Sequence, residues 1–232
     1  LILLEGTHLL LEALKTSFLP VEIIATTKWL EKNSEIIESI SSAIDLKVVT
    51  QSVLEASLTT KTPDGVASVF PLHALPSQPE KPDFILALDN LQDPGNVGSL
   101  FRTALAAEID LIWLASGADP LSQKVLRASS GAVLHLPYER FVDLEQKSIE
   151  VLAAKLDISR EKGFQVIATV VPSLKRSQPI VPYWQIDWTL PTILLLGNEG
   201  SGIHSRLKEC CTNVITLPHS QLVESLNVAS VA

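Results

Sequence analysis

Three segments of the chain combine residue types that can bind and orient a polar ligand. They span residues 88–104 (LDNLQDPGNVGSLFRTA), 194–203 (LLLGNEGSGI) and 217–228 (LPHSQLVESLNV). In each segment a short apolar run of β type leads into a loop of Gly, Asn, Glu or Ser, where backbone groups can approach a ligand closely. Because α/β proteins bind ligands beyond the carboxyl ends of their strands, we expect the three loops to form one site.

The glycine-rich loop of the second segment differs from the common phosphate-binding loops. Its glycines permit close backbone approach, and Asn198 and Glu199 supply polar groups. The sequence GNEGSG lacks the lysine of a P-loop and the spacing of a dinucleotide fingerprint. The carboxylate of Glu199 disfavours a nucleoside triphosphate but suits a positively charged cofactor. Glu199 can equally be an acidic residue at the start of a helix that begins near Ile203.

The first and third segments each predict a loop followed by a helix. Residues 93–96 (DPGN) are typical of a turn, and the following helix is predicted to begin at Gly98 and to carry Arg102 in its second turn. A final helix is predicted to begin at Ser225, whose hydroxyl could cap it. Taken alone, Arg102 would be interpreted as a surface residue in an ion pair.

Together and in this order, the three segments resemble the motifs of the SpoU/TrmH family of RNA ribose 2′-O-methyltransferases, in the knotted SPOUT class. The resemblance implies methyl transfer from S-adenosylmethionine to a ribose 2′-hydroxyl. This hydroxyl is a poor nucleophile at neutral pH, so the enzyme must orient it and help to remove its proton. A metal or a covalent intermediate is not required. The resemblance favours rRNA over tRNA as the substrate, because an amino-terminal module precedes the catalytic domain in the rRNA-modifying branch.

The resemblance also implies roles for individual residues. Asn96 would organise the loop, and Arg102 would contact the target phosphate or the 2′-hydroxyl. Arg102 could act as a base or as an electrostatic anchor, and the second role is easier to defend because arginine is normally too basic. Glu199, Ser225 and Asn227 would complete the catalytic set. The implied cofactor-binding residues are Gly197, Asn198, Gly202, Leu217 and Leu226.

Two departures from expectation involve methionine. The family usually has a Met and then a Gly in the loop after Pro218, where this chain has His219 and Gln221. The conformation of this loop is therefore left open. The whole chain also contains no Met, which suggests that methionines and terminal residues of the natural protein are missing from the sequence.

The elements that must position these motifs alternate between strand and helix. After residue 83, strands are predicted at 84–88, 111–115, 133–136, 165–170, 193–196 and 214–217. Helices are predicted at 98–107, 121–129, 144–163, 203–211 and from 225. This alternation is typical of a mostly parallel sheet covered on both faces. The resemblance adds a carboxy-terminal trefoil knot and a homodimer whose active sites borrow residues across the interface.

A smaller α/β unit is predicted before this domain. Its strands are expected at 1–4, 21–26 and 46–49 and its helices at 6–15 and 36–43, and a Pro-Asp-Gly turn at 63–65 precedes a β-rich run. Residues 71–82 contain four prolines and are typical of a semi-rigid linker. We therefore expect an RNA-binding module at 1–76, a linker at 77–82 and the catalytic domain at 83–232.

Composition indicates a cytoplasmic protein without a bound metal. Of its 232 residues 46% are hydrophobic, but no apolar run reaches the ~20 residues that span a bilayer. Cys210 and Cys211 are adjacent, which strains a disulfide between them, and are interpreted as buried thiols in a reducing compartment. The five histidines lack the spacing of a zinc site.

The net charge of −8 counts against nucleic-acid binding unless basic residues cluster locally. Ordinary solvated charges are an equally good interpretation of each one. The residues that could form a basic face are Lys124, Arg127, Arg140, Lys175, Arg176, Arg206 and Lys208.

Two rival functions remain. A non-catalytic RNA-binding or ribosome-assembly factor could keep the fold and the cofactor pocket, but the presence of all the catalytic candidates argues against it. A dinucleotide-dependent oxidoreductase predicts a GxGxxG motif after the first strand of a βαβ unit, and the sequence contains none.

Overall fold

The computed structural model describes residues 1–16, 18–40, 44–141, 145–170, 180–220, 222–223 and 225–231, and contains two sheets. The first is a mixed four-stranded sheet with the strand order β1-β4-β2-β3. Its strands are β1 (Ile2–Glu5), β2 (Glu22–Thr26), β3 (Asp45–Val49) and β4 (Val66–Phe70). The helices of this unit are α1 (Thr7–Leu14), α2 (Thr27–Lys32), α3 (Ser34–Ser39) and α4 (Gln51–Ser57).

The second sheet has seven strands in the order β7-β6-β5-β10-β8-β11-β9, and all its pairings are parallel. Its strands are β5 (Phe84–Leu88), β6 (Leu111–Leu114), β7 (Tyr138–Arg140), β8 (Gln165–Thr169), β9 (Ile180–Pro182), β10 (Thr192–Leu196) and β11 (Asn213–Thr216). The helices are α5 (Pro94–Ala106), α6 (Gln123–Ala128), α7 (Glu145–Glu161) and α8 (Ser205–Glu209).

Helices cover both faces of this sheet, as its apolar strands require. Alternate residues of a strand point to opposite faces. Leu86 and Leu88 of β5 pack with α5 and α6, whereas Ile85 and Ala87 pack with α7 and α8. The predicted architecture, a small α/β unit followed by a mostly parallel sheet, is confirmed, and the trefoil knot stays a prediction.

Helix α5 begins at Pro94, four residues before the predicted start at Gly98. The Asp93 side chain caps the helix, because its Oδ1 accepts a hydrogen bond from the backbone N–H of Asn96 at 2.8 Å. Proline suits the first helical position, where its missing N–H would be unpaired in any case. The segment read as a turn is therefore the start of the helix, and Arg102 lies in its third turn rather than its second.

Other predicted elements are also corrected. A strand was predicted at 133–136, but residues 133 and 134 lie in a 3-10 helix (Ala132–Leu134) that follows Gly131 at φ 82°, and residues 135 and 136 form a turn. A short buried apolar run does not distinguish the two structures. The final helix predicted from Ser225 is a 3-10 helix at Val228–Ser230. Its cap is Asn227, whose side chain accepts from the N–H of Ala229, so Ser225 is not the N-cap.

The small and large sheets share a continuous hydrophobic core. Leu10 of α1 and Phe70 of β4 belong to the same buried cluster as Leu126 of α6 and Val133. Packing against a common core fixes the first unit on the second. The proline-rich segment therefore connects two parts that are in direct contact.

A buried carboxylate reinforces this contact. The side chain of Glu5 is 1% exposed and accepts hydrogen bonds from the backbone N–H groups of Thr59 at 2.8 Å and Thr60 at 2.9 Å. The Arg127 guanidinium of α6 donates to the same carboxylate at 3.2 Å. Burial alone raises the pKa of Glu5, but the hydrogen bonds from Thr60 and Thr59 outweigh it, and the pKa lies below its usual value. Arg127 is thus committed to a structural contact and does not belong to a free basic face.

Candidate functional site

A cleft of about 610 Å³ lies at the carboxyl ends of β8, β10 and β11, beside the first turn of α5. This volume is typical of pockets that hold a small molecule or cofactor. All the predicted site residues except Arg102 line the cleft: Asn96, Gly197, Asn198, Glu199, Gly202, Leu217, Ser225, Leu226 and Asn227.

A chain of side-chain hydrogen bonds joins the three sequence segments in this cleft. Asn227 Nδ2 donates to Asn96 Oδ1 at 3.0 Å, and Asn96 Nδ2 donates to Glu199 Oε1 at 3.0 Å. The Asp93 cap holds the backbone of Asn96 at the start of α5. Because Asn96 both accepts and donates, it couples the third loop to the second and orients the Glu199 carboxylate in the cleft.

The second loop folds tightly over its own first residue. The backbone N–H and C=O groups of Asn198 exchange hydrogen bonds with those of Gly202 at 3.0 and 2.9 Å. A Cβ at Gly197 would lie 2.5 Å from the carbonyl carbon of Gly202 and 2.5 Å from the nitrogen of Ile203. Gly202 has φ 69°, which favours glycine. Glycine is therefore required at position 197, because the end of the loop folds back against it.

The Asn198 side chain holds the tip of this loop. Its Oδ1 accepts from the backbone N–H groups of Gly200 at 2.9 Å and Ser201 at 3.0 Å. Its Nδ2 donates to the carbonyl of Asn90, just beyond β5, at 2.7 Å. The amide of Asn198 thus shapes the loop and ties it to the neighbouring strand.

The third loop places His219 in the cleft at the position where the resemblance leads us to expect Met. The ring Nδ1–H donates to the carbonyl of Leu217 at 2.8 Å, so this histidine stabilises the turn after β11. Ser225 and Leu226 are exposed and line the cleft. Gln221 lies outside the described residues.

Sequence reasoning missed several lining residues that follow the ends of β8 and β11 or lie on α8. They are Thr169, Val170, Lys208, Thr216 and His219. The rule that ligands bind at the carboxyl ends of parallel strands could have identified those next to β8 and β11. Lys208 had been grouped only with the basic surface residues.

Arg102 lies outside the cleft. It is exposed on α5 and forms no hydrogen bond or ion pair with the described residues. It lies six positions after Asn96, which is a rotation of about 240° around an α-helix. The two side chains therefore leave α5 on different sides.

The proposed basic face is largely dispersed. Lys175 and Arg176 lie outside the described residues, and Lys124 and Lys208 are exposed. The three remaining arginines form ion pairs within the chain: Arg127 with Glu5 at 3.2 Å, Arg140 with Asp119 at 3.5 Å and Arg206 with Asp157 at 2.9 Å.

The two cysteines are buried free thiols, as predicted. Burial raises the pKa of the Cys210 thiol to about 11 and that of Cys211 to about 12, so neither is a thiolate at neutral pH. Across the described ranges, no group of three or more His, Cys, Asp or Glu side chains could hold a metal ion. Within the same part of the chain, no helix combines the length and apolar character needed to cross a membrane.

Comparison with known proteins identifies relatives for both parts of the chain. A sequence model of the SpoU rRNA Methylase family matches residues 83–232. An uncharacterized tRNA/rRNA methyltransferase of Synechocystis is 36% identical over 231 residues, which cover 98% of this chain and 79% of that protein. The 23S rRNA (guanosine(2553)-2′-O)-methyltransferase RlmP of Bacillus subtilis is 30% identical over 99% of this chain and 84% of its own.

Solved structures agree over nearly the whole chain. A putative RNA methyltransferase of the TrmH family from Porphyromonas gingivalis has a TM-score of 0.78 at 28% identity, over 99% of this chain and 85% of that one. An AdoMet-bound rRNA methyltransferase from Sinorhizobium meliloti has a TM-score of 0.76 at 26% identity, over 99% and 83%. These similarities include the small sheet as well as the large one.

Proposed function

This chain belongs to the SpoU rRNA methylase family, and we propose that it transfers a methyl group from S-adenosylmethionine to a ribose 2′-hydroxyl of rRNA. The predicted family and the predicted RNA methyltransferase class are confirmed. The observation that carries the reaction proposal is the hydrogen-bond chain from Asn227 through Asn96 to Glu199, which unites the three motifs in one cleft.

The cleft fits S-adenosylmethionine in size and in charge. When bound, this cofactor supplies an activated methyl group on a sulfonium. The Glu199 carboxylate favours a positively charged ligand nearby, and Asn96 keeps that carboxylate in place. Backbone groups of Gly197, Leu217 and Leu226 hold the adenosine and methionine parts. The AdoMet-bound Sinorhizobium enzyme supports this cofactor.

The substrate hydroxyl needs a group that stabilises its developing negative charge. We assign this role to Arg102, whose planar guanidinium can hold a phosphate and the alkoxide oxygen together. Ser225 and Asn227, at the edge of the cleft, orient the target nucleotide. Because Arg102 lies outside the cleft of its own chain, we propose that it acts in the cleft of a second copy.

Exposed apolar side chains support this homodimer. Leu105 is 37% exposed on the same face of α5 as Arg102, one turn later. In the third loop Leu222 is 96% exposed and Val223 47%. Exposed apolar surface of this kind is typical of an interface, and a second copy would cover it.

The RNA is recognised by residues 1–76 in this proposal, and the linker at 77–82 joins them to the catalytic domain at 83–232. The 23S rRNA substrate in the name of the Bacillus relative favours rRNA, with tRNA as the alternative. The trefoil knot and a cytoplasmic location belong to the same proposal.

The decisive experiment maps ribose 2′-O-methyl groups in rRNA and tRNA from cells with and without the gene. We expect one rRNA position to lose its methyl group and to regain it when the purified protein and S-adenosylmethionine are added to unmodified rRNA. Loss at a tRNA position would contradict the rRNA assignment. An unchanged pattern in both RNAs, with no transfer by the purified protein, would favour a non-catalytic RNA-binding factor.

A further inference from the structure

Lys208 is a cation in the cleft to which the catalytic scheme gives no role. Among the described residues that line the cleft, it is the only lysine or arginine, and Glu199 is the only carboxylate. Lys208 is exposed and forms no ion pair with a described residue, whereas its neighbour Arg206 is paired with Asp157. The cleft thus presents one free positive charge and one oriented negative charge.

The position of Lys208 is fixed by the packing of its helix. Leu207 and Cys210, on either side of it in sequence, are fully buried, and they pack α8 into the core beside α7. The Cα atom of a lysine on a packed helix has a fixed position, although the side chain is long. Its ammonium can therefore meet a ligand group without movement of the backbone.

A second group in the cleft also lacks a partner. The Thr216 Oγ1 atom, at the end of β11, is buried and has no hydrogen-bond partner within the described ranges. A buried hydroxyl normally has a partner, because leaving one unpaired costs about 1–3 kcal/mol. The cleft therefore has a free cation on its α8 side, and a buried, unpaired hydroxyl lies beside it at the end of β11.

We propose that Lys208 binds the α-carboxylate of S-adenosylmethionine. This assignment rests on the proposed function. The cofactor carries a sulfonium, an α-ammonium and one carboxylate. Glu199 attracts the two cationic groups but repels the carboxylate, so the cleft needs a positive charge to accept all three. Lys208 lies on α8 and lines the same cleft as the loops proposed to hold the cofactor, which favours the carboxylate over an RNA phosphate.

The test compares S-adenosylmethionine with its decarboxylated analogue, which keeps the sulfonium, the adenosine and the amine. We expect Lys208→Met to weaken binding of S-adenosylmethionine about tenfold in calorimetric titration, the usual loss for a charged hydrogen bond. Binding of the decarboxylated analogue should be unchanged, which also shows that the variant is folded. Lys162→Met, at an exposed lysine outside the cleft, should leave both affinities as they are. Lys208→Arg should retain most of the affinity.

The outcomes separate this assignment from the proposed function. Equal binding of S-adenosylmethionine by Lys208→Met and the wild type would overturn the role of Lys208 alone. An unchanged cofactor affinity with weaker RNA binding in a filter assay would assign Lys208 to a phosphate instead. If Lys208→Met were unfolded, Lys208→Gln would be measured in its place. If the wild type bound neither S-adenosylmethionine, nor its decarboxylated analogue, nor S-adenosylhomocysteine, the proposed function itself would be overturned.

Discussion

If Arg102 acts in the cleft of a second copy, two inactive variants should restore each other. Arg102→Ala removes the guanidinium and leaves the cleft intact, whereas Glu199→Ala damages the cleft and leaves Arg102 intact. Loss of the electrostatic stabilisation by Arg102 should cost roughly 3 kcal/mol, or on the order of a hundredfold in turnover. Each variant alone should therefore be nearly inactive.

The expected recovery follows from counting sites. When equal amounts of the two variants assemble at random, about half of the dimers contain one copy of each, as for any two-fold assembly. In such a dimer the Arg102 of the Glu199→Ala copy reaches the intact cleft of the Arg102→Ala copy. The second site has lost both groups. About a quarter of the wild-type activity should therefore return in the unfractionated mixture, and about half in the purified mixed dimer, where one of the two sites is intact.

The assay is methyl transfer from labelled S-adenosylmethionine to unmodified rRNA, with the two variants co-expressed under different affinity tags and the mixed dimer purified through both. A mixture of Arg102→Ala with itself under two tags is the matched control. If the mixed dimer were no more active than either variant, Arg102 would act within its own chain or not at all. A monomeric protein with full activity would refute the reasoning at its first step.

Three further changes test other parts of the structure. Gly197→Ala should abolish cofactor binding in calorimetry while the far-UV circular dichroism stays normal, because the new Cβ would lie 2.5 Å from the nitrogen of Ile203; normal affinity would show that the loop tolerates a shift. Glu5→Gln should lower the free energy of unfolding by about 2 kcal/mol in urea. The pKa of Glu5 is lower in the folded state than in the unfolded state. The stabilisation by its carboxylate is therefore fully present above the unfolded-state pKa and is lost as the pH falls through the folded-state pKa. The free energies of unfolding of the variant and the wild type should thus converge in acid. Cys210 and Cys211 should react with a thiol reagent at pH 8 only after unfolding, and rapid labelling of the native protein would contradict their burial.

The sequence was sufficient to predict where the cleft would form. Loops that follow parallel strands meet at one edge of the sheet, so the three motifs had to converge once β5, β10 and β11 were recognised. The contact of Asn96 with Glu199, to which it donates, and with Asn227, from which it accepts, follows from that convergence. The choice of Asn96, Glu199 and Asn227 as site residues still depended on the family resemblance. Polar residues in a loop do not by themselves indicate which residues they contact.

Other features depend on tertiary contacts that a local pattern does not contain. The apolar residues of the strand predicted at 133–136 pack into the core shared with α1, and the first two lie in a 3-10 helix. A strand would bury the same residues, so their hydrophobicity did not distinguish the two structures. The pairing of Glu5 with Arg127 joins residues 122 positions apart. The sequence around Lys208 does not distinguish it from other surface lysines, and only the fold shows that it lines the cleft.

The hydrogen bonds of Asn96 also determine at which stage of folding the site can form. The two hydrogen bonds of Asn96 join residues 103 and 131 positions apart. The bond to Glu199 requires the loop after β10 to reach α5, and the bond from Asn227 requires the carboxy-terminal loop to do so. Contacts that close such long loops form late in folding, because the entropy of closing them is lost first. A chain that ends before residue 227 still contains Asn96 and Glu199, but its Asn96 lacks the hydrogen bond from Asn227. The complete hydrogen-bond chain of the proposed site therefore forms only after the carboxy-terminal loop has packed against α5.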